Sequence, residues 1–164
     1  MIGYPPVYGK RRSKPRKHQF GFGMLLILEP QWRDHDGMLK LRFSIEGSGY
    51  AAEITFYCYP ETIETFGRTL GDFPRSSTDE VVFENGSNAP NSYSWLALRA
   101  FVFDGVGHSA LEVECQRNGT RLVSARSRFA VELEPATINR LGSELATWAS
   151  SAGEESFEFT SEQR

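Results

Sequence analysis

Long apolar stretches are missing from this chain. The longest, Met24 to Leu28, falls far short of the ~20 residues that a membrane-spanning helix needs. Cysteine is scarce too: Cys58 and Cys115 are the only two, and no CxxC or HxxxH spacing accompanies them. That argues against a zinc site and a disulfide framework. No GxSxG, GxGxxG or GxxxxGK[ST] motif occurs. The sequence therefore lacks the usual nucleophile elbow, dinucleotide fingerprint and phosphate loop. Lysine is nearly absent, with Lys10, Lys14, Lys17 and Lys40 the only four. Such a preference for arginine suggests a GC-rich bacterial genome.

What is present is enough for one core. The 164 residues are 40% hydrophobic and 24% charged, and a globule of this size buries about 70% of its unfolded surface. Charge is unevenly placed. Lys10, Arg11, Arg12, Lys14, Arg16 and Lys17 precede residue 19 with no acid among them. The remaining 12 basic residues face all 21 acidic ones, so residues 19–164 carry −9. The expected division is a basic disordered arm over 1–23, a single domain over 24–150 and an acidic, frayed tail over 151–164. The arm admits three readings: a nuclear-import signal or nucleic-acid arm, a solvated tail, or residues ahead of a true start at Met24. It is not expected to be a signal peptide, because Gly21 and Gly23 break the apolar part and no small-residue cleavage site follows.

Hydrophobic alternation predicts strands near 25–29, 38–46, 50–59, 80–84, 94–104, 109–117 and 125–134. Pro60 and Pro135 each open a helix. The apolar stripes are Ile63, Phe66, Leu70 and Phe73, then Ile138, Leu141, Leu145 and Trp148. Residues 54–73 and 129–148 form a loose repeat that aligns Pro60 with Pro135 and Gly67 with Gly142. A glycine inside a helix costs ~1 kcal/mol against alanine, so the pair implies close packing, expected against the sheet. The fold class expected is α+β: one antiparallel sheet of six or seven strands, two helices on one face, and a loose internal pseudo-repeat.

Little carries chemistry. His35 lies between Asp34 and Asp36, and His108 follows Asp104, but both groups sit in turn sequences where these residue types are common. Neither catalytic residues, metal ligands nor cofactor-binding residues are expected. Both cysteines take inward strand positions and read as buried thiols. If the helices cover the inner face of the sheet, the outer face gathers Glu53, Tyr57, Tyr59, Trp95, Arg99, Glu112, Glu114 and Glu132. Aromatic and acidic residues together suit a basic protein partner.

The runs Trp95 to Glu114 and Phe129 to Trp148 resemble small bacterial proteins of the WapI immunity type. The shared pattern is a WL strand, a second strand, then a strand, an acidic-proline turn and an amphipathic helix. The resemblance implies a cytoplasmic, non-enzymatic protein that neutralises a toxin by occlusion; it brings no motif of functional residues. The alternative expectation is a nucleic-acid-associated protein using the arm at residues 10–17.

Overall fold

The computed structural model describes residues 23–162. The basic run at 10–17 lies outside them. Three strands come first: β1 (Leu25–Arg33), β2 (Leu39–Gly47) and β3 (Tyr50–Cys58). Helix α1 (Pro60–Gly71) follows, then β4 (Glu80–Gly86), β5 (Ser94–Val102), β6 (Ser109–Arg117) and β7 (Ala125–Leu133). Helix α2 (Pro135–Ser150) and β8 (Phe157–Thr160) close the chain. Burial alternates along β2, β3 and β7 as their apolar period requires. In β2, Leu39, Leu41, Phe43 and Ile45 are buried, while Lys40, Arg42, Ser44 and Glu46 are half-buried. The β2–β3 turn places Ser48 at φ 53° and Gly49 at φ 78°. Positive φ at both central residues is the hairpin turn whose twist matches its strands, and glycine adopts it without steric cost.

The predicted elements form, but not as one sheet. Two four-stranded antiparallel sheets are present, ordered β3-β2-β1-β8 and β4-β5-β6-β7. Their inner faces share one core with both helices. β3 crosses the whole second sheet. Tyr50 at its start stacks on Phe129 of β7, its body packs on β6, β5 and β4, and the Tyr57 carbonyl at its end accepts from Asn85 Nδ2 at 2.8 Å. One strand meeting four others in turn requires a steep crossing, as in orthogonal sheet packing. Period two distinguishes inner from outer residues but not one sheet from two, which is why a single sheet was expected.

The helices therefore cover neither outer face. They pack on each other, with α1 beside β4 and α2 beside β8. Prolines occupy the first turn of each helix, where the missing N–H removes no helical bond. Asn139 Nδ2 of α2 donates to the carbonyl of Leu70 at 2.9 Å and to that of Phe73, tying α2 to the end of α1. Gly67 and Gly142, expected against a sheet, are buried against each other's helix. The frayed acidic tail is corrected as well: Phe157 to Thr160 pair with Leu28 to Leu25, and Phe157 and Phe159 are buried. No helix among the described residues is long and apolar enough to cross a membrane.

Candidate functional site

The outer face of the second sheet carries most of the expected site. Register sets Arg99 opposite Glu112, and Glu114 opposite both Ala97 and Arg128. Directly opposite residues share a face with Cβ atoms ~5 Å apart, so unlike charges pair. Arg99 reaches Glu80 and Glu112, each at 3.5 Å. Arg128 reaches Glu112 at 3.1 Å and Glu114 at 3.9 Å. Arg126 Nε donates to Glu114 at 3.0 Å. Trp95 Nε1 donates to Glu84 at 2.7 Å, and the Arg99 guanidinium lies 4.6 Å from the Phe101 ring centroid. The result is a ladder of alternating charge, with Glu114 only 8% exposed. Glu80, Glu112 and Glu114 have arginine partners, so much of the negative charge on this face is offset within it. Glu132 lies on the same side, opposite Ala110, and is exposed.

Glu53, Tyr57 and Tyr59 lie elsewhere. Glu53 and Tyr57 are on the outer face of the first sheet, and Tyr59 is the N-cap of α1. Because the two sheets share their inner faces, these residues point away from the ladder. The expected cluster is thus split between two surfaces.

On the first sheet a different group forms. Trp32 of β1 pairs with Lys40 of β2, which pairs with Tyr57 of β3. Trp32 is 54% exposed and Tyr57 49%. The Lys40 ammonium stands 5.8 Å from the Tyr57 ring centroid, and no carboxylate pairs with it among the described residues. Tyr59, two residues past Tyr57, adds a third exposed ring. In the next row Arg42 is held by Glu29, with Nε donating at 2.6 Å.

A β-bulge creates this row. Leu26 and Leu28 face the core, and simple alternation would send residues 30 and 32 the same way. The pairing with β2 slips between Pro30 and Trp32, leaving Gln31 as the extra residue. One extra residue reverses every later side chain, so Trp32 turns outward. Proline within a strand pattern is a bulge signal; Pro30 was the available clue to a residue that sequence reading missed.

The remaining titratable groups do local work. Asp104 Oδ1 accepts the N–H groups of Val106, Gly107 and His108 at 2.9–3.0 Å, and its other oxygen meets His108 Nδ1. The hydrogen bond and charge of Asp104 raise the His108 pKa above the ordinary histidine value, Glu132 and Glu134 adding smaller contributions. Asp34 Oδ1 accepts from the Asp36 and Met38 N–H groups and shapes the turn around His35. Cys58 and Cys115 are free and buried. Burial pushes both thiols up to about 12, so neither is a thiolate at neutral pH. No cluster of three metal-ligating side chains occurs among the described residues.

The chain matches no protein-family model and none of the curated proteins. Solved structures with a similar arrangement include the plant transcriptional regulator PBF-2, at 12% identity and a TM-score of 0.44 over 79% of this chain and 76% of that one. WHY3 from Arabidopsis thaliana is 10% identical, with a TM-score of 0.44 over 82% and 85%. WHY1 from the same plant is 12% identical, with a TM-score of 0.44 over 79% and 84%. One of these is a transcriptional regulator and none is named as an immunity protein. The expectation of an immunity-type antitoxin is corrected, and three arginines offset much of the acidic charge on which it stood.

Proposed function

We propose that this protein binds single-stranded nucleic acid, without catalysis, on the outer face of its first sheet. The observation that carries the reading is the row Trp32–Lys40–Tyr57: two half-exposed rings from different strands flanking a lysine that no carboxylate neutralises among the described residues. Bases stack on such rings whatever their sequence, at about 1–3 kcal/mol each, and cations follow the phosphates. A duplex hides its base faces, so a flat aromatic row suits unpaired bases. The basic run Lys10 to Lys17 adds phosphate contacts, whose energy comes from counterion release and falls with salt.

The test is anisotropy of a labelled single-stranded oligonucleotide titrated with full-length protein across a salt series. Trp32→Ala is expected to weaken binding about tenfold, the equivalent of ~1.4 kcal/mol. Removal of residues 1–18 is expected to flatten the salt dependence. Equal affinity for wild type and Trp32→Ala would remove the row from the interface.

A further inference from the structure

The outer edge of β4, which no strand among the described residues pairs with, offers a second surface. β4 is the outermost strand of its sheet. The Val102 N–H donates to the Asp79 carbonyl at 3.4 Å, which sets the phase of the ladder. Backbone groups of residues 81 and 83 then point to β5, and those of Glu80, Val82 and Glu84 point away. The Glu80 N–H is taken by the side chain of Asp79. Val82 is 50% exposed.

Helix α1 runs beside this edge and leaves a groove walled by Thr62, Thr65, Phe66 and Thr69. The hydroxyls of Thr65 and Thr69 donate to carbonyls within their own helix, so they do not cap β4. Glu61, Glu80 and Glu84 rim the groove, and no lysine, arginine or histidine among the described residues lines it. Glu80 also reaches Arg99 at 3.5 Å and Glu84 accepts from Trp95 Nε1, so Glu61 supplies the rim charge that no side-chain partner offsets among the described residues. An unpaired edge beside a helix is a geometry that accepts an extended peptide as an added strand, and the rim selects positive charge.

We propose that this groove binds an extended basic segment of a partner protein as a fifth strand on β4. Cross-strand neighbours share a face. Residues opposite Glu80, Val82 and Glu84 are therefore alternate ones, which defines the ligand as basic–x–apolar–x–basic. An acidic rim repels phosphate, so this surface is separate from the nucleic-acid row and does not depend on it.

The probe is a fluorescein-labelled peptide with a Lys-Thr-Val-Thr-Lys core, titrated against the full chain. Saturable binding is expected, with hydrogen exchange slowed at the Val82 and Glu84 amides. N-methylation of the central valine, whose N–H and carbonyl would exchange bonds with Val82, is expected to weaken it at least tenfold. Glu61→Lys, an exposed change on α1, is expected to do the same. Equal binding of the N-methylated or a scrambled peptide would mean charge alone and would overturn the proposal. So would amides at Val82 and Glu84 already protected in the free protein, since the edge would then belong to this chain or a second copy.

Discussion

A Cβ placed on Gly142 would stand 2.5 Å from the Gly67 carbonyl oxygen, and one on Gly67 would stand 2.7 Å from the Gly142 carbonyl oxygen. The two glycines let α1 and α2 approach backbone to backbone. Real Cβ contacts essentially never come this close, and the obstructing atoms are main chain. Gly67→Ala and Gly142→Ala are each expected to destabilise by about 1–3 kcal/mol through overpacking. On an open helix face the same change would stabilise by ~1 kcal/mol. Denaturant melts read the sign directly.

β8 closes the edge of the first sheet with two side chains. Phe159 is 1% exposed and its ring lies beneath the Arg140 guanidinium, 4.2 Å from centroid to Cζ. Phe159→Ala is expected to cost about 3–5 kcal/mol. A chain ending at residue 153 is expected to melt well below the full one. An unchanged thermal midpoint for the shortened chain would show that β8 contributes nothing.

The charge ladder makes a sign prediction. Glu112 and Glu114 between them contact Arg99, Arg126 and Arg128. Glu112→Lys with Glu114→Lys would set five cations on one face around a nearly buried position. A loss of about 3 kcal/mol or more is expected, as when a buried pair loses one partner. On a freely solvated acidic face the change would stay within about half a kcal/mol. Urea unfolding distinguishes the two.

His108 provides a pH readout. Its folded pKa is raised, with Asp104 as the main cause. The stabilisation it contributes is fully present below the ordinary histidine value of ~6.5 and is lost as pH rises through the higher folded value. Ring-proton NMR is expected to show His108 titrating above that value, and Asp104→Asn is expected to bring it down. Glu132→Gln should move it less.

Legibility differed by level. Seven of the eight strands and both helices among the described residues follow from apolar period and proline placement, because burial acts residue by residue. β8 escaped since its signal is only Phe157 and Phe159 among acidic and polar residues. The division into two sheets is a matter of which strands neighbour which, and alternation does not encode it. The acidic face failed for a related reason. Arg126 and Arg128 neutralise it from β7, and only register brings them opposite Gln116 and Glu114. Tyr57 and Tyr59 were correctly read as outward, but Trp32 depends on a one-residue slip that strict alternation would have turned into the core.

The central claim is that Trp32 meets an unpaired base. Of the three tryptophans, Trp32 is 54% exposed, while Trp95 and Trp148 are 8% and 9% exposed. A stacked base therefore reaches only one of them. Tryptophan emission titrated with a single-stranded oligonucleotide at low salt is expected to fall saturably, and the fall is expected to vanish in Trp32→Phe. Emission that does not change on addition of the oligonucleotide, or an equal fall in Trp32→Phe, would contradict the assignment of this face as the nucleic-acid surface.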